Sequence, residues 1–233
     1  MTPPADEGVE PTGTATGSTV RSGMSETGTA DAETGTADAG THTARRLLDD
    51  VLPRRDRPTL AVTAAVWAVT TVALLARSPH PSTWPALVGL ATFATLIAAG
   101  DALTRRIPNR LNAAAAASLP PLLGVALMAG YGSAVRAVAG GAAAFAVYAV
   151  LWLVAPKALG AGDVKLAPYL GAVTAFVDWA CWSRALVLGM VLQGVLVAAG
   201  LLTGRLDRRS HVAHGPAMCL GAVLAILGAL SRW

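Results

Sequence analysis

The sequence is short of charge and, past its first fifty residues, nearly empty of acids. Charged residues make up 14% of the 233 positions and hydrophobic ones 54%, and mean hydropathy is +0.53. An ordinary soluble domain carries about 25% charged residues, so this composition excludes a typical soluble globule and places the chain in lipid. Nine of the fourteen acids lie within residues 1–50. Glutamate does not recur after Glu33, which leaves Asp56, Asp101, Asp163, Asp178 and Asp207 for everything beyond residue 50. The basic excess therefore belongs to the second part of the chain. In a membrane protein such residues are read first as topology signals, and nothing argues for nucleic-acid binding. Cysteine is scarce as well. Cys181 and Cys219 stand 38 positions apart in apolar surroundings with no CxxC pair, which argues against a zinc or redox motif and reads as two small buried hydrophobes. The four histidines, His42, His80, His211 and His214, are scattered. No metal and no cofactor is expected.

Residues 1–44 are built from Thr, Gly, Ala, Asp and Glu, with "ETGTADA" in tandem at 26–32 and 33–39. With so little to bury, this composition predicts a disordered tail. The start has no apolar run behind a basic segment, so it does not read as a secretory signal. Met24 offers a second translation start. Residues 45–58 hold Arg45, Arg46, Arg54, Arg55 and Arg57, and read as a basic juxtamembrane anchor.

Residues 59–233 read as a polytopic, all-α transmembrane bundle. About twenty apolar residues cross a bilayer as a helix, and seven candidates follow: 59–77, 84–104, 111–130, 134–155, 164–182, 184–203 and 213–231. The fifth has a charged start and many small residues, so six full spans plus one irregular segment is the alternative count. Alanine and glycine recur in these segments ("NAAAAAS", "GGAAAFA"), and small residues let membrane helices approach closely. The loops then sort by charge. Arg105, Arg106 and Arg110, then Lys157 and Lys165, then Arg205, Arg208 and Arg209 fall in alternate loops, on the side of the arginine-rich N-terminal segment. The positive-inside rule puts that side, and the N-terminus, in the cytoplasm. Trp84, Trp179, Trp182 and Trp233 fall near the opposite interface, as an aromatic belt would.

This topology separates the acids. Asp56 and Asp207 flank spans among arginines, and Asp178 lies near the outer end of the fifth span; all three read as solvated charges. Asp101 lies in the last turn or so of the second span and Asp163 at the entrance of the fifth, 62 residues apart yet at similar depth on the cytoplasmic side. An ionisable residue within a span usually faces a cavity or a partner and marks function. Two facing carboxylates cannot both ionise easily, so the pair shares a proton. The ionised member can then take a proton from an attacking water while the protonated one polarises a peptide carbonyl. Gly160 and Gly162, beside Asp163, permit a positive φ or the close approach of a second backbone, as an extended peptide would need. A plain glycine turn with Asp163 capping a helix is the competing reading of that stretch.

"GAGDVK" at 160–165, with "DALTRRIPNRLN" at 101–112 upstream and "HGPAMCLGA" at 214–222 downstream, resembles the type IV prepilin peptidases, membrane aspartyl proteases of the GxGD type. The resemblance spans about residues 84–233. It implies that Asp101 and Asp163 are the catalytic pair, that Gly160 and Gly162 shape the second loop, and that Lys165 is a motif position. It implies further that Pro108 and Asn109 end the helix presenting Asp101, and that Gly215 and Pro216 lie near the site, where Pro216 perturbs the last span. Activity would be cleavage of the short basic leader of pilin-like precursors after a glycine, at the cytoplasmic face of the plasma membrane. The bilayer and the machinery of pilus assembly or protein secretion would be the other partners. Larger relatives carry a methyltransferase region, often with paired CxxC motifs; lacking these, the chain is expected to cleave without N-methylating. Two readings from other classes stay open at this point: a carboxylate-based ion or proton transporter, and a non-catalytic membrane scaffold of a secretion machine.

Overall fold

Seven α-helices account for nearly all of the described residues, and each coincides with one of the seven apolar segments. The structure is a computed structural model and describes Asp49 and residues 57–156, 159–205 and 212–230. The expected tail at 1–44, most of the basic segment at 45–58, Lys157, Asp56, Asp207, Arg208, Arg209, His211 and Trp233 lie outside the described residues. The helices are α1 (Arg57–Arg77), α2 (Trp84–Thr104), α3 (Asn109–Met128), α4 (Ala134–Val154), α5 (Ala161–Val177), α6 (Trp179–Leu202) and α7 (Gly215–Leu230). No strand occurs among the described residues. α1, α2, α3, α4 and α6 are long and apolar enough to cross a membrane, whereas α5 and α7 have 17 and 16 residues.

Those two shorter helices are the inner ones. α5 packs against α3, α4, α6 and α7, and α7 packs against α1, α2, α5 and α6. Thirteen residues of α5 are buried, an unbroken run from Leu166 to Val177 apart from Pro168 among them. α1 is the opposite case. Its Val62, Val69 and Val72 are 63%, 70% and 66% exposed, an apolar outer face that water would not tolerate and lipid would. It is held to α2 by packing and by a bond from Trp67 Nε1 to Thr92 Oγ1 at 3.0 Å.

Small residues set the closest helix pairs. A Cβ on Gly171 would stand 2.6 Å from the Gly140 carbonyl oxygen, and one on Gly221 would stand 2.6 Å from the Gly189 amide. The α4–α5 and α6–α7 backbones are therefore in direct contact, the geometry that small residues permit in membrane bundles. Pro120, Pro121 and Pro168 lie inside helices that continue past them, as neighbouring helices allow in lipid.

The connections differ from expectation in one place. The fifth span is expected to run to residue 182, but α5 ends at Val177 and only Asp178 separates it from α6. Its extended backbone (φ −163°, ψ 166°) stops α5, and its side chain accepts the Cys181 N–H to start α6. Asp178 is thus an N-cap beside Arg184 (3.9 Å), rather than a merely solvated charge. Arg136 closes the same junction from the other side, donating to the carbonyls of Ala175, Phe176 and Val177 at 3.2, 3.1 and 2.9 Å. A guanidinium on the last carbonyls of a helix satisfies acceptors left bare and opposes the negative end of its dipole. Arg136 therefore has a structural role at this junction. Cys181 and Cys219 are both buried, at 0% and 3% exposure.

Candidate active site

Asp101 and Asp163 face one cavity. Asp101 sits in the last turn of α2 and Asp163 is the third residue of α5; each is 5% exposed. Both line a cavity of about 530 Å³ together with Arg105, Arg106, Asn109, Trp152, Lys165 and His214, among others. These residues come from the ends of α2 and α4, the starts of α3 and α5, and the segment entering α7, so the cavity opens at one end of the bundle. The two carboxylates interact electrostatically with each other.

Each carboxylate also rests on a helix N-terminus. Gly215, the first residue of α7, donates its N–H to Asp101 Oδ2 at 2.9 Å. Gly160, the N-cap of α5, donates to Asp163 Oδ2 at 3.1 Å, and the Asp163 N–H returns to the Gly160 carbonyl at 3.1 Å. Asp163 therefore faces the cavity and also takes part in capping its own helix. Bare amides and the positive end of the dipole suit a carboxylate at both positions.

Local geometry revises several expectations. Neither Gly160 nor Gly162 takes a positive φ; Gly160 is extended (φ −78°, ψ 146°) and Gly162 is already helical. Their small size is used against side chains. A Cβ would lie 3.2 Å from Asp163 Oδ2 at Gly160, and 3.3 Å from Ile107 Cβ at Gly162. Pro108 and Asn109 do not end the helix that presents Asp101. α2 stops at Thr104, where Arg105 turns left-handed (φ 53°) and returns its N–H to the Asp101 carbonyl at 2.8 Å. Pro108 is instead the N-cap of α3 and Asn109 its first residue. Pro216 does not bend the last helix. It is the second residue of α7, where a missing N–H costs nothing and a fixed φ helps. Gly215 is the glycine that geometry demands, since a Cβ there would stand 2.8 Å from Asp101 Oδ2.

Lys165 acquires a partner. Its Nζ donates to Asn109 Oδ1 at 2.9 Å, and nearby Asn112 Nδ2 donates to the Gly162 carbonyl at 3.4 Å. The first turn of α3 thus clasps the first turn of α5 beside the cavity. Sequence reading passed over Asn112, Trp152 and Tyr148, and counted Arg105 and Arg106 for topology alone. Tyr148 carried no signal, being one of three aromatics, with Phe145 and Trp152, in an apolar helix. The spacing of Asn112 from Asn109, one turn along α3, was the signal available for the clasp.

Residues 88–229 match the type IV leader peptidase family. A prepilin leader peptidase/N-methyltransferase of Bacillus subtilis (strain 168) is 30% identical to the chain over 144 residues, which cover 62% of the chain and 55% of that protein. The chain therefore spans little more than half the length of this curated relative. No solved structure matches it significantly. The family match takes in well over half of the sequence, including both cavity aspartates and the α7 N-terminus that bonds one of them, and the chain belongs to the type IV leader peptidase family.

Proposed function

We propose that the protein is an aspartic endopeptidase of the plasma membrane that removes the short basic leader of pilin-like precursors. The observation that carries this reading is the convergence of Asp101 and Asp163, each 5% exposed, on one cavity at one end of a bundle of apolar helices. The pair shares one proton because two close carboxylates resist double ionisation. The ionised member takes a proton from water as the oxygen attacks the peptide carbonyl. The protonated member hydrogen-bonds the carbonyl oxygen and then delivers its proton to the leaving amine. Water adds across the C–N bond, giving a carboxylate and an amine, and the proton count of the pair is restored. Gly160, Gly162 and Lys165 shape the start of α5, which holds Asp163, and Asn109 anchors that start to α3. Pro108 starts α3, while Gly215 and Pro216 start the helix whose first amide holds Asp101.

A reading of seven spans with a cytoplasmic N-terminus would put the cavity at the cytoplasmic face. Arg105, Arg106 and Lys165 at its rim agree with the positive-inside rule. Machinery of pilus assembly or secretion would receive the processed product.

The test is leader removal from a co-expressed precursor, followed by gel shift, with the wild type compared with Asp101→Asn and Asp163→Asn at equal abundance in membranes. Asparagine keeps the shape but cannot titrate, so processing is expected only from the wild type. Undiminished processing by both variants would sink the paired-carboxylate mechanism.

A further inference from the structure

Beside the two aspartates His214 lines the cavity, and it contacts the buried Tyr148, which does not line it; the proposed mechanism assigns neither a role. Tyr148, on α4, is 1% exposed and His214, just before α7, is 8% exposed. The Tyr148 hydroxyl and His214 Nε2 lie 3.4 Å apart, with the rings tilted at 44° and centroids 5.8 Å apart. Burying a hydroxyl and an imidazole in an apolar bundle is unfavourable unless they bond, and phenylalanine would fill the tyrosine's place with one oxygen fewer. Two buried polar groups that face each other at 3.4 Å, one of them lining the cavity, therefore call for a reason beyond packing.

The peptide unit that follows His214 supplies one. Its N–H, on Gly215, donates to Asp101 Oδ2 at 2.9 Å. Its carbonyl, on His214, accepts the Met218 N–H at 3.1 Å and so begins α7. One peptide plane thus both grips Asp101 and starts the helix, and a rotation of that plane would break both bonds. Residues 212–214, before it, are not helical, so no upstream helix sets its orientation. The His214 ring, which the same residue carries, contacts Tyr148 on α4. α4 is in turn the helix packed most extensively on α5, which carries Asp163, and the Tyr148 hydroxyl is within electrostatic reach of Asp163.

We infer that Tyr148 and His214 are positioning residues for the proposed peptidase reaction, a tie that fixes the Gly215 amide on Asp101 and thereby sets the placement of Asp101 relative to Asp163. The inference rests on the peptidase reading. Neither side chain exchanges a proton with substrate; both act through the peptide plane that holds the carboxylate.

The experiment is a kinetic double-mutant cycle in detergent-solubilised full-length protein. The probe is a precursor with a short basic leader ending in glycine, followed by an apolar helix. Tyr148→Phe keeps the ring and removes only the hydroxyl, and His214→Leu removes the ring's polar atoms. Each is expected to lower kcat roughly three- to tenfold, the effect of one hydrogen bond, with KM within about twofold of wild type. The double variant is expected to be no worse than either single one, because the two residues act as a unit. His214→Gln, which retains a polar side chain, is expected to recover part of the loss. Equal abundance and melting temperature of Tyr148→Phe and wild type separate this role from stability. Full kcat in Tyr148→Phe, or losses that multiply in the double variant, would overturn the inference while leaving the peptidase reading intact, provided Asp101→Asn is inactive. A folded but inert wild type would overturn the peptidase reading and the inference with it.

Discussion

At the scale of single residues, the site is defined by groups that touch rather than by groups that are near in sequence. Gly215 is 114 positions from Asp101, yet it leaves the smallest margin of any residue around the pair. Gly215→Ala would push a methyl group against the carboxylate at 2.8 Å. Leader cleavage is expected to fall at least tenfold while the protein remains abundant in membranes, measured as kcat on a purified precursor. Lys165 acts at longer range. Removing its bond to Asn109 with Lys165→Met should lower kcat/KM about two- to tenfold, the range for one lost hydrogen bond, and Asn109→Ala should reproduce it without adding to it. An additive double variant would show that the lysine works through something other than this bond. The two aspartates were legible in the sequence because so few acids occur after residue 50 that their depth could be compared directly. The Lys165–Asn109 clasp was not, since 56 residues separate the two and neither spacing nor charge links a lysine to an asparagine.

At the scale of elements, ends matter more than middles. α2 ends on a left-handed arginine, α5 begins on an extended glycine, and α6 follows α5 after one aspartate. The sequence reading ran the fifth segment to residue 182 because Trp179, Ala180, Cys181 and Trp182 are as apolar as the span before them, and hydropathy does not register a break one residue long. Asp178 marked it through capping chemistry instead. Arg136 lies at the same end of the bundle, away from the cavity, and offers a control. Arg136→Met would strip the Ala175 and Val177 carbonyls of the guanidinium donor and leave the Phe176 carbonyl with the Ser133 N–H alone, and is expected to destabilise the protein by about 1.5–3 kcal/mol, the range for charged hydrogen bonds. Thermal unfolding in detergent should shift down accordingly, with kcat at low temperature unchanged. A kcat loss at unchanged stability would instead tie this junction to the site.

At the scale of the whole molecule, two short inner helices are wrapped by longer ones whose outer faces are apolar. The cavity opens where α2 and α4 end and α3, α5 and α7 begin, and Arg105, Arg106 and Lys165 line it. With Cys181 and Cys219 replaced by alanine, a cysteine at Gly130 and one at Arg205 report on opposite ends. A membrane-impermeant maleimide is expected to label Gly130→Cys in intact cells and Arg205→Cys only after permeabilisation. The reverse pattern would invert the orientation proposed for the cavity.

The sequence by itself determined which segments are helical, roughly where each begins and ends, and that Asp101 and Asp163 share a depth. Hydropathy and helix rise are properties of the chain read in one dimension, and depth follows from them. Tertiary structure alone decided which way each aspartate faces. Helices such as α2 and α6 are apolar all round, because lipid and a packed interior select the same side chains, so no polar stripe marks the inward face. The rotations of α4, α5, α6 and α7 follow from where Gly140 meets Gly171 and Gly189 meets Gly221, and the packed bundle brings Asp101, Asp163 and His214 to the wall of one cavity.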